Sequence, residues 1–314
     1  MGTFEDLSQL NAFVSIVECG SISAGARRLK IPQPTLSRHL RALEERCGTT
    51  LLRRDTHGMT LTETGRRLLA DARTMLAFAE DAEQRLRKDQ KELQGHLRLF
   101  SNIDFGQTTF TRLIASFMQV NPKITVELSY NNRPLHMIQE GCDAGLVTGH
   151  FTDENVVARP VGKVTRYLAA SPALVKSRSV VKGPADLKAW PWLSLSSIQF
   201  GGSKGVMLTS PGRPSQTLRI TPVLISEGVT SLREAARAGL GISVLPDWLV
   251  REDLISGRLV RVLPLWNVPE LPSHVVYSSQ RILPVRVRAF IDFAVAYMTT
   301  ELRASTQIGE PDLK

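Results

Sequence analysis

The sequence predicts a two-part chain: a small helical head carrying a two-stranded wing, followed by a long helix and an α/β body. Three observations predict it. Residues 20–45 hold two short amphipathic segments separated by a gap punctuated with Pro32 and Pro34. Leu68, Ala72, Met75, Ala79, Ala82 and Leu86 repeat at spacings of 4-3-4-3-4. Beyond Gln94-Gly95, short apolar runs alternate with helical patterns, which indicates a parallel α/β sheet. A chain of 314 residues has length for two or three domains and a sizeable core.

In order, residues 3–18 form a first helix with Leu10, Phe13, Val14 and Val17 on one face and Thr3 with Asp6 as a capping pair. Ile22, Ala26 and Leu29 then fall at i, i+4, i+7, with Ser21 or Ser23 as N-cap. Leu36, Leu40 and Leu43 repeat that spacing, and Pro34 suits a first helical position, where its missing N–H goes unused. Two such helices so close together form a helix-turn-helix. Gln33, Thr35, Ser37, Arg38 and Arg41 lie off the apolar stripe and are side chains of the kind that read base edges and phosphates. On periodicity alone, a helical hairpin with a solvated basic face fits equally well.

Residues 51–54 and 59–61 read as two strands around the turn Asp55-Thr56-His57-Gly58, a wing that turns Arg53 and Arg54 toward a phosphate backbone. Thr62 caps the long helix and Glu63 complements its dipole. Its heptad seam favours pairing between two chains, the alternative being a helix packed on its own domain. In the body, strands are expected at 97–100, 124–128 and 144–148, with helices at 105–119 and 135–140. A second run starts at Leu168 and continues through strands at 192–195, 221–225 and 242–245 and a helix at 229–238. Residues 198–215, rich in Gly, Ser and Pro, are expected to form a loop.

Over residues 7–65 the chain resembles the winged helix-turn-helix of LysR-type transcriptional regulators. The resemblance is carried in one register by Leu10, Phe13, Val17, Glu18, Gly20, Ser21, Ser23, Ala26, Leu29, Gln33, Pro34, Ser37, Leu40, Leu43, Glu44, Gly48, Leu51, Leu52, Arg54, Leu61, Thr62 and Gly65. Gly25 stands where the family usually has Ala, at about 1 kcal/mol of helix propensity, and Pro32 replaces the usual polar cap. In the body, residues 239–246, Gly141-Cys142-Asp143-Ala144, Leu259-Val260 with Val262-Leu263, and residues 285–293 resemble the family's effector domain.

That resemblance implies a two-lobed effector domain like the type II periplasmic solute-binding proteins. The expected limits are 1–62 for the DNA-binding head, 63–94 for the linker helix through which two chains pair, 95–300 for the effector domain and 301–314 for a C-terminal tail. Lobe one takes 95–163 plus 268–300, and lobe two takes 164–267. The implied partners are double-stranded DNA, RNA polymerase, a second copy in a homodimer or homotetramer, and a small-molecule effector. In such a fold the ligand sits between the lobes, beside strand C-termini and helix N-termini. The candidates there are Ser101, Asn102, Thr148, Ser196, Ser197, Glu227 and Thr230. Hydroxyls and N–H groups at helix ends suit an anion. Asp104 and Glu227 argue against one unless Arg133 or His150 supplies a cation.

Charge agrees with a polyanionic partner. The net charge is +9, and residues 20–67 hold ten Arg or Lys against four acidic residues. Cys19, Cys47 and Cys142 are too few and too scattered for a disulfide framework or a metal site, and Cys142 is expected to pack in a core. No cofactor, metal or catalytic residue is expected. With neither a signal-like start nor an 18-residue apolar run, the expected location is the cytoplasm, away from membranes. An enzyme on a solute-binding fold is the alternative function, with a solute-binding protein as a third class. Against an enzyme, the chain lacks Gly-x-Ser-x-Gly and His-Glu-x-x-His motifs, and Gly201-Gly202-Ser203-Lys204-Gly205 lacks phosphate-loop spacing.

Overall fold

The apolar stripes of the first 50 residues converge. A computed structural model, which describes residues 6–55, 58–86, 92–132, 141–150, 155–196, 204–279 and 283–307, packs α1 (Leu7–Cys19), α2 (Ile22–Leu29) and α3 (Gln33–Cys47) around one core. Leu10, Phe13, Ile16, Leu36 and Leu43 are fully buried there. The first helix begins later than expected. Asp6 is its N-cap and accepts from the Ser8 N–H at 2.8 Å, while Thr3 lies outside the described residues. Ser21 caps α2, accepting from the Ala24 N–H at 3.2 Å. Gly25 has a packing reason: a Cβ there would sit 3.2 Å from both the Cα and N of Ile16. The glycine thus sets the approach of α2 to α1, which offsets its poor helix propensity.

Strands β1 (Leu52–Asp55) and β2 (Gly58–Leu61) pair antiparallel as the wing. Helix α4 (Glu63–Leu86) follows, with Thr62 Oγ1 accepting from the Gly65 N–H at 3.0 Å. Its heptad seam is divided. Leu68 and Ala72 are buried in the head's own core and Met75 packs against it, whereas Ala79 is half-buried and Ala82 exposed. The first half of the seam therefore serves the chain itself, and the helix is described only to Leu86.

The body is built on β3 (Gln94–Ser101), α5 (Ile103–Phe105), a π-helical turn over Gly106–Phe110, α6 (Thr111–Val120), β4 (Lys123–Tyr130), β5 (Ala144–Thr148) and β6 (Val156–Ala170). There follow α7 (Pro172–Lys176), a 3₁₀ turn over Pro184–Ala189, β7 (Trp192–Leu195), β8 (Gly205–Ser210), β9 (Arg213–Arg219) and β10 (Pro222–Ser226). The last elements are α8 (Val229–Arg237), β11 (Ile242–Pro246), α9 (Asp247–Ile255), β12 (Val260–Arg261), β13 (Val268–Ser278) and α10 (Val285–Gln307). The helix expected at 135–140 lies outside the described residues. Among the described residues no helix is long and apolar enough to cross a membrane.

The sheet is mixed rather than parallel, in the order β10-β7-β11-β6-β13-β5-β3-β4, with β12 beside β6. Parallel pairs occupy the two ends, and the long strands β6 and β13 run antiparallel to each other as the crossovers between lobes. Val161, Val164, Leu271 and Val275 pack in the lobe-one core, Leu168 and Val268 in that of lobe two. The expected lobe boundary at 163/164 therefore falls inside one strand, and the change of lobe comes between Val164 and Leu168. Two further expectations are corrected. Residues 205–219 form a hairpin, because Val206, Leu208 and Leu218 alternate inward around a Pro211-Gly212 turn (Gly212 φ +70°). The tail expected at 301–314 continues α10 to Gln307, with Leu302 buried in the lobe-one core.

Candidate nucleic-acid interface and ligand cleft

Burying Leu36, Leu40 and Leu43 turns the opposite side of α3 outward. Gln33, Pro34, Arg38 and Arg41 are exposed, and Thr35 and Ser37 half-buried. Pro34, Arg38 and Arg41, at i, i+4, i+7, share a face. Gln33 is steadied by Ser23, whose Oγ donates to its Oε1 at 3.1 Å. Arg53 is exposed on the wing. Arg54 pairs through its backbone with Met59, and its side chain lies outside the described ones. A helix with hydroxyl, amide and guanidinium groups on its free face, beside a basic wing, can offer donors to base edges and phosphates at once.

The second feature is a cavity of about 450 Å³ between the lobes. Most of its wall is apolar, including Phe105, Val164, Trp192, Val206, Trp248 and Leu271. Polar groups are the minority, which is the make-up of a small-molecule site. Asn102 and Thr148 line it: Asn102 Oδ1 accepts from the Thr148 N–H at 2.6 Å, and the Thr148 and Ser273 hydroxyls lie 3.0 Å apart. The other expected contacts do not converge on it. Ser101 is fully buried and donates to the Leu146 carbonyl at 2.8 Å, a structural bond beneath the cleft. Ser196, Glu227 and Thr230 are exposed outside the cavity lining, and Ser197 lies outside the described residues.

Asp104 explains the discrepancy. Its carboxylate accepts from the backbone N–H groups of Val229 (2.8 Å) and Thr230 (3.0 Å), at the N-terminus of α8. The donors expected for a ligand anion are thus taken by a side chain from the other lobe. Asn132 adds a second cross-lobe bond, donating through Nδ2 to the Glu227 carbonyl. Arg133 lies outside the described residues, and His150 lines the cavity. The cation that sequence reading missed is Arg166 on β6: it lines the cavity and donates to the Pro269 carbonyl from Nε at 3.1 Å and from Nη2 at 2.5 Å. Burial lowers its pKa to about 10, which leaves it charged at neutral pH. Trp192 and Trp248 were also missed, since large apolar residues read as core until the cavity exists. Among the described residues no cluster of His, Cys, Asp or Glu could hold a metal ion.

A third feature joins the head to the body. Glu18 on α1 takes Arg28 of α2 at 2.6 Å, Arg73 of α4 at 3.2 Å, and Arg98 of β3. Burial alone would raise its pKa, but Arg98, Arg28 and Arg73 outweigh that and hold the carboxylate below its ordinary value.

Comparison with known proteins matches two parts of the chain. Residues 7–66 match the bacterial regulatory helix-turn-helix protein of the lysR family, and residues 90–299 match the LysR substrate binding domain. The HTH-type transcriptional regulator PtxR of Pseudomonas aeruginosa is 30% identical over 287 residues, covering 91% of each chain. The full-length structure of AphB, a virulence activator of Vibrio cholerae, matches at 26% identity and a TM-score of 0.59, covering 93% of this chain and 99% of that one. CrgA of Neisseria meningitidis matches at 26% identity and a TM-score of 0.58, covering 93% and 98%. With both domains matched and the relatives named as regulators rather than enzymes, the chain belongs to the LysR family of DNA-binding, effector-responsive transcriptional regulators.

Proposed function

We propose that this regulator reads a partly palindromic operator as a homodimer or homotetramer, with Gln33, Pro34, Thr35, Ser37, Arg38 and Arg41 facing the major groove and Arg53 and Arg54 on phosphates. Two chains paired through the exposed half of the α4 seam set two recognition helices about 34 Å apart, one turn of DNA. An effector in the inter-lobe cavity, contacting Asn102 and Thr148, changes how the subunits are arranged, and so how DNA is bent or RNA polymerase is met. The place of action is the cytoplasm, with the chromosome. The observation that carries the reading is the exposed polar face of α3 on a helix whose other side is fully buried. Gel-shift assays with the chain's own upstream DNA test it. Arg38→Ala and Ser37→Ala are expected to abolish specific operator binding while leaving the protein folded and self-associated; full affinity in both variants overturns the assignment of α3.

A further inference from the structure

We propose that Asp104 is a tethered anion that closes the α8 end of the cleft, so that the effector is an amphipathic monoanion whose charge meets Arg166. The inference rests on the effector-binding reading of the cavity and says which chemistry that cavity accepts. A helix N-terminus ordinarily attracts an anionic ligand through its unpaired N–H groups and its dipole. Here both Asp104 oxygens occupy that position, bonded to the N–H groups of Val229 and Thr230. Gly228, just before the helix, lets the carboxylate approach: a Cβ there would sit 3.3 Å from Oδ2. With Asn132 bonded to the Glu227 carbonyl, the lobes are joined by the chain's own groups.

A ligand carboxylate brought to this end would meet a like charge in a poorly solvated space. Among the described residues, the cavity's other ionisable side chains are His150, exposed at its edge, Glu270 and Arg166. Glu270 is exposed, held by Lys163 at 3.7 Å and by the Thr165 hydroxyl at 3.2 Å. Arg166 is a half-buried cation, its guanidinium plane set by the Pro269 carbonyl, and a planar guanidinium is suited to a carboxylate. Between these groups the walls are Phe105, Trp192, Trp248 and Leu271, with the Phe105 and Trp248 rings 5.7 Å apart. An aromatic or aliphatic body with one acidic group fits that arrangement, and a diacid does not.

Benzoate is the probe, titrated into the full-length protein and read by tryptophan fluorescence, since Trp192 and Trp248 line the cavity. Wild type is expected to bind it, and Arg166→Gln to weaken it about ten- to a hundredfold, the loss of a charge-assisted hydrogen bond. Asp104→Ser is expected to bind benzoate several-fold tighter, the neighbouring like charge being gone. With the α8 N-terminus vacated, formate is also expected to raise the melting temperature of this variant above an equal concentration of chloride, an effect absent in wild type. If Asp104→Ser fails to fold, Asp104→Asn keeps the volume and must still tighten benzoate. No benzoate response in wild type, unchanged binding in Arg166→Gln, or equal stabilisation of wild type by formate overturns the proposal. Operator binding, measured separately, tests the regulator reading, which survives if a different ligand occupies the cleft.

Discussion

Glu18→Gln tests whether the head is tied electrostatically to the body. The substitution keeps the side-chain volume and removes one charge facing three arginines. Arg28 is 54% exposed, so its pair with Glu18 contributes at most about 1 kcal/mol. Arg73 and Arg98 are only 17% and 15% exposed and lose a counter-charge that is itself 12% exposed. Stripping a partner from a fully buried pair costs about 3–5 kcal/mol. Residual solvent, and Glu127 at 3.2 Å from Arg98, reduce that to about 2–3 kcal/mol for the whole cluster. Urea denaturation followed by circular dichroism reads the loss. All four tryptophans lie in the body, so their fluorescence reports that part separately. A double-mutant cycle of Glu18→Gln with Arg98→Met is expected to give a coupling of about 1–2 kcal/mol. The pH dependence follows from the lowered pKa. The carboxylate's contribution is fully present above the unfolded-state value, about 4.3, and is lost as pH falls through the lower folded value. The difference between wild type and Glu18→Gln should therefore be complete at neutral pH and shrink in acid. A coupling below about 0.5 kcal/mol, within the additivity expected of independent sites, or a difference that grows in acid, refutes the reasoning.

Gly65→Ala should destabilise the head by about 3 kcal/mol or more, since its Cβ would lie 2.2 Å from the Leu51 carbonyl oxygen and the backbone must move; a melting temperature equal to wild type contradicts this packing. Leu36→Ala, which empties a fully buried site between the helices, should cost about 2–5 kcal/mol and with it operator binding at 37 °C. Arg53→Ala should weaken operator and scrambled DNA alike and lower the slope of log K against log salt by about 1 for each phosphate that Arg53 neutralises; a change confined to the operator would make Arg53 a base reader. Ala82→Glu, at an exposed seam position, should shift self-association toward monomer in sedimentation without lowering the melting temperature of the isolated chain.

The helical head is legible because its signals are local. Leu36, Leu40 and Leu43 declare a buried face by spacing alone, Ser21 and Thr62 cap where they stand, and what remains of α3 is an exposed polar face. The alternation of strands and helices announces an α/β body for the same reason. What the chain order does not convey is which elements meet. Asp104 and Val229 are 125 positions apart, and only the fold sets the carboxylate of one lobe on the helix end of the other, where the sequence suggests a ligand anion. Trp192 reads as a strand residue, and Arg166 carries no signal of its own, until two lobes enclose a cavity between them. Gly25 looks like a weak point until α1 is laid against it. Local periodicity and capping depend on neighbours within a few residues and are written into the sequence directly. Charge pairing and cavity shape depend on groups brought together from distant positions, and those only tertiary packing decides.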